Sequence, residues 1–270
     1  NKLNLTRLKK AGLKVPSRNE DFVNGLNQSK IYIDKYIKEN EKKKYILEIG
    51  CSFGYFLFAL KRKGFKNIFG LEINETCKNF VNNNLKIKCY SKLENLKNKI
   101  FFDKIFLFYS FEYIPNPKEY LKNLLSILKK NGKIYIITPN KEDILKDLIP
   151  ASKFKDFFYD INSVNYFSTL SLKNLAKKLK IRKFSVSTNQ GYSLANLFQW
   201  FLHQKPVQSK YVGGDIHIEN LIKDIKNKKS KQNILKEKII SLIMNSNDKY
   251  KKILSEHDFG NQIIFCIKKR

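Results

Sequence analysis

The stretch Tyr45–Leu60, YILEIGCSFGYFLFAL, sets the tightest limit on what this chain can fold into. An apolar run meets an acid, Glu48, then Gly50 and Gly54, and continues as a helix-like apolar segment. A buried strand, a tight turn and a helix in direct succession form the unit that cradles a nucleotide at the end of a strand. The turn is ill suited to a pyrophosphate, however. A dinucleotide turn reads GxGxxG, and its middle glycine lets the backbone approach the phosphates. Here the pattern is Gly50-x-Ser52-x-Gly54, and the carboxylate before it would repel them. The expected ligand has the shape of a nucleoside and carries positive charge.

The rest of the chain keeps the same rhythm. Strands are predicted over Tyr45–Ile49, Asn67–Ile73, Leu85–Tyr90, Lys104–Phe111 and Lys133–Pro139. Helices are predicted between them, capped by Asn74 before ETCKNFVNNN and by Asn116 before PKEYLKNLLSILKKNG. In the second of these helices Pro117 fits the first turn and Glu119 has capping-box spacing. Its apolar stripe is Tyr120, Leu121, Leu124, Leu125 and Leu128, ended by Gly132. After Pro139 the rhythm loosens into a loop or short helices as far as Phe167. A helix capped near Ser168 and an edge strand, KFSVST, then restore it. The final apolar run, QIIFCIKK, reads as a central strand. Alternation of this kind predicts an α/β fold, a parallel sheet with helices on both faces. Residues 41–190 and 260–270 form the expected core, and 191–259 an inserted cap that shapes the acceptor site. Residues 1–40 form a helical lead-in whose apolar face is Ile31, Ile33, Tyr36 and Ile37.

Glu72 ends the second strand, where an acid accepts both hydroxyls of a ribose. Together, Glu48, Gly50, Gly54 and Glu72 point to S-adenosylmethionine, which carries an adenosine, an ammonium and a sulfonium but no phosphate. Composition adds bounds. The 270 residues suffice for one large core, and the net charge is +29. Such charge attracts polyanions, but the lysines are spread along the whole chain beside abundant Asn, Ile, Phe and Tyr, as a codon bias would leave them. Specific nucleic-acid binding is therefore not expected. Cys51, Cys77, Cys89 and Cys266 are far apart without CxxC spacing, and with three histidines they give no zinc signature, so no metal is predicted. A reduced cytoplasmic protein without a membrane span is the simplest account. The sequence begins without Met, so its start is silent about a leader.

ILEIGCSFGYFL resembles the first motif of class I S-adenosylmethionine-dependent methyltransferases. FDKIFLFYSFEYIPNPKEYLKNLLSILKKNGKIYIITPN is similar to their fourth-to-fifth-strand segment, and VNYFSTLSLKNLAKKLKI to what often follows. The resemblance covers Tyr45–Ile181. It implies a Rossmann-like, seven-stranded, mostly parallel sheet whose last strand is antiparallel beside the fifth, with a helical insertion before it. It implies a cofactor site of Glu48, Gly50, Cys51, Ser52, Phe53, Gly54, Glu72, Ile73, Ser91 and Tyr109. Two departures stand out. The family's frequent Glu-His pair reads Glu112-Tyr113, and Ser91 stands near the place of an acid that contacts adenine.

Candidates for chemistry are therefore few: His217 in GGDIHIEN, Glu112 and Tyr113 as catalytic groups, and Tyr166, Tyr192 and Trp200 as acceptor-site residues. Between Leu221 and His257 ten lysines face four acids, as a solvated helix face or a site for an anionic acceptor. The expected activity is methylation of a small molecule or sugar, such as a surface-glycan precursor, on oxygen. The alternatives are an RNA methyltransferase and a relative that binds the cofactor without turnover. The sequence gives no oligomeric state.

Overall fold

The computed structural model describes residues 18–96, 100–148, 153–204 and 231–270. Its seven-stranded sheet comprises β1 (Ile46–Ile49), β2 (Ile68–Leu71), β3 (Lys88–Tyr90), β4 (Phe102–Phe108), β5 (Leu128–Pro139), β6 (Phe184–Asn189) and β7 (Gln262–Lys268). The order is β3-β2-β1-β4-β5-β7-β6. β7 runs antiparallel to both β5 and β6, and the other pairings are parallel. The last strand thus lies where the resemblance implied. From β1 the chain builds outward through β2 and β3, then returns to β4 on the other side. The C-terminal ends of β1 and β4 therefore flank the crevice in which open α/β sheets bind ligands.

The described helices are α1 (Arg18–Tyr36), α2 (Tyr55–Arg62), α3 (Glu75–Asn83), α4 (Pro117–Ser126), α5 (Ile144–Asp147), α6 (Phe154–Phe158), α7 (Thr169–Lys178), α8 (Leu194–His203) and α9 (Lys231–Glu256). The strands alternate, and each face has its own core. Leu47, Ile49, Ile105 and Leu107 meet Leu121, Leu124 and Leu172 of α4 and α7. Ile46 and Phe106 on the other face meet Tyr32, Ile33, Phe56, Leu57 and Val81 of α1, α2 and α3. Each such buried side chain contributes about 1.5–3 kcal/mol. A third cluster joins Leu145, Phe154, Phe158 and Trp200 of α5, α6 and α8. Among the described residues no helix is long and apolar enough to cross a membrane.

The helix caps follow the sequence. Asn74 Oδ1 accepts from Cys77 N at 3.1 Å, Asn116 Oδ1 from Glu119 N at 3.2 Å, and Ser168 Oγ from Ser171 N at 3.2 Å. The Glu119 side chain pairs with Lys122 instead of closing a capping box. Boundaries moved where one pattern fits two periods. α4 stops at Ser126, and Leu128, expected on its stripe, pairs with Phe102 as the first residue of β5. The register then jumps to Lys104–Lys133, and Asn131 (φ 61°) takes a left-handed turn in the intervening bulge. β4 ends at Phe108, not Phe111, because Tyr109 (φ 49°) bends the chain out of the sheet. In α1, Ile31 is exposed and Tyr32 is buried in its stead, stacked on Phe108 with centroids 4.3 Å apart.

The described part of residues 191–259 is tied to β6, to the residue after it and to itself. Thr188 Oγ1 donates to Ser255 O (3.0 Å), Gln190 Nε2 to Tyr250 Oη (3.2 Å) and Leu194 N to Asn247 Oδ1 (2.9 Å). Asn140, at the end of β5, donates from Nδ2 to Asp258 O and Gly260 O at 2.8 and 2.9 Å.

Candidate functional site

The turn after β1 is built from backbone conformations that few residues tolerate. Gly50, Ser52 and Gly54 have φ of 68°, 49° and 73°. A Cβ on Gly50 would stand 2.7 Å from Ser110 Cβ, so this position needs glycine for both conformation and space. On Gly54 it would meet Leu85 and Val81 at 2.9 Å, and its absence brings the start of α2 against α3. Ser52 adopts the left-handed region without that freedom. Its amide donates to Glu72 Oε2 at 2.8 Å, which offsets the strain. Glu72 Oε1 accepts from Asn74 N, also at 2.8 Å. The acid at the end of β2 therefore fastens the turn to β2 and the start of α3, and it still has acceptor capacity for a ligand, since a carboxylate offers about four lone-pair sites.

Glu48 is the unusual group. It follows Ile46 on the face covered by α1–α3 and is only 6% exposed. Its Oε2 makes no hydrogen bond. Burial first, then the neighbouring Cys89 thiol and the Glu72 carboxylate, push its carboxyl well above the usual range. A buried carboxylate in this position calls for a proton or a cation. Beside it, the thiols of Cys51 and Cys89 lie 3.6 Å apart, over Gly70, where a Cβ would come within 2.7 Å of Cys51 Sγ. Phe53 packs edge-on against Phe80 at 5.5 Å. Ile73 is 81% exposed directly after Glu72, an apolar surface at the mouth of the crevice. Ser91 follows Tyr90, whose carbonyl accepts from Glu72 N at 2.8 Å. A site with an unpaired carboxylate, an open apolar wall and no basic side chain described in the turn fits a cationic nucleoside better than a phosphate.

The other side of the crevice is knotted. Tyr109 N donates to Ile137 O at 2.8 Å, and Ser110 Oγ to Ile49 O at 3.1 Å. Tyr109 keeps 40% of its surface accessible, although Tyr32, Tyr192 and Glu112 stand around its phenol. Glu112 is buried. Its Oε2 accepts from Thr138 Oγ1 at 3.1 Å, and its carbonyl from Val164 N and Asn165 N. Tyr113 Oη donates to Asp160 Oδ2 at 3.3 Å. Tyr166 Oη donates to Asp160 O (3.0 Å) and accepts from Asp160 N (2.7 Å). Trp200 is 2% exposed, edge-on to Phe154 at 5.1 Å.

The structure therefore brings Glu48, the 50–54 turn, Glu72 and Tyr109 to one edge of the sheet, with Tyr192 near Tyr109. Glu112, Tyr113 and Tyr166 make internal contacts behind that edge, Trp200 lies in a satellite core, and His217 lies outside the described residues. Sequence reasoning missed that Tyr32 is buried against Phe108 and beside Tyr109, because the N-terminal forty residues read as a lead-in. It also missed Asp143, which caps α5 by accepting from Leu145 N at 2.9 Å. Burial pushes the Asp143 carboxyl up to about 6, against the lowering effect of that bond, with Asp147 adding to the rise.

Comparison with known proteins agrees with this geometry. A family profile described as "Methyltransferase domain" matches residues 28–180. A ubiquinone biosynthesis O-methyltransferase of Coxiella burnetii is 26% identical over 145 residues, covering 50% of this chain and 57% of the relative. A tRNA U34 carboxymethyltransferase of Campylobacter fetus is 24% identical over 174 residues, covering 60% of each. The chain thus spans little more than half the length of these curated relatives. Among solved structures, a SAM-dependent methyltransferase from Archaeoglobus fulgidus superposes with a TM-score of 0.55 at 20% identity, covering 93% of this chain and 97% of the other. The plantazolicin methyltransferase BpumL, in complex with a triazolic desmethylPZN analog and SAH, gives 0.51 at 18% identity, covering 100% and 90%. With more than half of its length matched by the family profile and its strands in the order 3-2-1-4-5-7-6, the chain belongs to the methyltransferase-domain family and has the class I fold of S-adenosylmethionine-dependent methyltransferases.

Proposed function

We propose that this protein transfers a methyl group from S-adenosylmethionine to an oxygen of a small-molecule or sugar acceptor. The observation that carries the cofactor assignment is the unpaired carboxylate of Glu48 beside the Gly50–Gly54 turn. The bound cofactor supplies an activated methyl on a sulfonium, a good leaving group. The chain then has mainly to align and to exclude water, and alignment is worth up to about 7–11 kcal/mol in favourable cases. Glu48 holds the cofactor's ammonium, Glu72 its ribose hydroxyls, and Ile73 offers apolar contact to the base. Tyr109 and Tyr192 border the acceptor side. Support for oxygen as the methylated atom is the O-methyltransferase name of the Coxiella relative. The tRNA-directed name of the Campylobacter relative, with the net charge of +29, favours RNA as a second reading.

The test has two parts. The first is calorimetric titration with S-adenosylhomocysteine. Burial pushes the Glu48 carboxyl well above its usual range, so pairing with the ammonium favours loss of a proton there, and affinity should rise with pH. Wild type should bind and release a proton, read from the buffer dependence of the heat. Glu48→Gln should bind roughly 10-fold more weakly without that release. Absence of binding to wild type would sink the cofactor assignment. The second part is label transfer from methyl-labelled cofactor to metabolite fractions and to RNA. Label in small acidic or sugar fractions supports the first reading, label in RNA the second, and neither a binder without turnover.

A further inference from the structure

The two helices between β6 and β7 carry nine of the nineteen exposed large apolar side chains found among the described residues. On α8, Asn196 and Trp200 are buried, and Phe198, Phe201 and Leu202 stand on the opposite face, 55–67% exposed. On α9, Asn247 and Leu254 are buried. Leu235, Ile239, Leu242 and Ile253 are exposed, and helical spacing puts them in one stripe about 60° wide. Lys238, Lys249 and Lys252 are exposed along one border of that stripe. Lys252 also pairs with Glu256 at 3.7 Å. Apolar side chains scattered singly over a surface need no partner, but an aliphatic row bordered by lysines does. It is the pattern of a helix lying in the plane of a bilayer surface. The apolar row enters the headgroup–acyl boundary, and the lysine stems cross it to leave their ammoniums among the phosphates.

Charge selects the occupant. α9 has six lysines against three acids, and the whole chain carries +29. A second copy would set like charges against each other across this face, whereas an anionic bilayer is drawn to it. RNA would meet the lysines and leave the aliphatic stripe in water. We propose that α8 and α9 form a docking surface for an anionic lipid bilayer. The surface is separate from the cofactor assignment above and stands or falls without it. α8 begins two residues after Tyr192, and Leu194 N ties it to Asn247 of α9, so the bilayer would lie beside the acceptor side of the crevice.

The test is flotation of the full chain with vesicles of phosphatidylcholine mixed with phosphatidylglycerol, and with vesicles of phosphatidylcholine alone. Wild type should float with the first and stay behind with the second. The double variant Ile239→Gln, Leu242→Gln keeps good helix formers at both positions and should partition at least 10-fold more weakly. Lys238→Gln with Lys249→Gln should lose roughly 10-fold on the anionic vesicles. Leu170→Gln, a control at a 64% exposed position on α7, should float like wild type. All three variants should melt at the wild-type temperature and bind S-adenosylhomocysteine as wild type does. Failure of wild type to float with anionic vesicles overturns the proposal. So does undiminished flotation of the Ile239/Leu242 variant, which would mean that net charge acts without this face. A clearly lower melting temperature of that variant would show the stripe to be covered by the chain itself, and a wild-type dimer that the same substitutions dissociate would show it covered by a second copy. Either result overturns the proposal, as does RNA binding that these two substitutions abolish.

Discussion

The two sides of the sheet's C-terminal edge are held together in different ways. On the β1–β2 side the contacts made by the Glu72 carboxylate are short in sequence. Glu72 reaches Asn74 across two residues and Ser52 across twenty, both through backbone amides. On the β4–β5 side Glu112 reaches Thr138 across 26 residues, Tyr113 reaches Asp160 across 47, and Asn140 reaches Asp258 across 118. The first side is a local motif that carries its own geometry. The second exists only once distant segments have docked. Binding of a common cofactor suits the first arrangement, and variation of the acceptor suits the second.

The largest expected effect would show that the local side is structural as well as ligand-binding. The position of Glu72 at a strand end suggests from sequence that its removal leaves the free fold untouched. The structure shows it 8% exposed and accepting two backbone amides. At about 1.5–3 kcal/mol for each bond to a charged group, Glu72→Ala should lower the stability of the free protein by roughly 3–6 kcal/mol and also abolish S-adenosylhomocysteine binding. Urea unfolding and calorimetry check both. Unchanged stability with lost binding would mean that Glu72 serves the ligand alone.

The next prediction concerns the far side. Trp200→Ala empties the cluster with Phe154 and Phe158 and should cost about 3–5 kcal/mol. Affinity for S-adenosylhomocysteine should stay within about 2-fold, since distant, unconnected sites add to within about 0.3–0.5 kcal/mol. A collapse of cofactor affinity in a protein that is still folded would show the two sides to be one unit.

The smallest effect is a dependence on pH. Asp143 has its folded value raised from 3.8 to about 6. The sign follows from proton binding. Between those values the folded state holds a proton that the unfolded state has lost, so stability falls as pH rises through this window and levels off above it. The full shift corresponds to about 3 kcal/mol at most. Asp143→Asn keeps a capping oxygen and should be more stable than wild type at pH 8 by roughly 1–3 kcal/mol, with the two converging near pH 4. Parallel denaturation curves from pH 4 to 8 would show that burial of Asp143 is relieved in solution.

Much of the fold was legible because its signals are local. Asn74, Asn116 and Ser168 cap their helices as their spacing required. The short apolar segments at Ile46–Ile49, broken only by Glu48, and Ile263–Ile267 read as strands, and both lie inside the sheet. What slipped were positions where two local patterns agree. Leu128 fits a helix stripe and a strand equally well, and the pairing with Phe102 chose the strand.

The sequence by itself determined the turn after β1, the order of elements and the acids at the ends of β1 and β2, because glycine conformation, strand alternation and charge are properties of neighbouring residues. Only the tertiary structure decided which face α1 buries, what Glu112 and Tyr166 bond to, and that Oε2 of the Glu48 carboxylate is left unpaired. Whether a buried polar atom has a partner depends on what every other segment brings to it in space, and no window of the sequence contains that information.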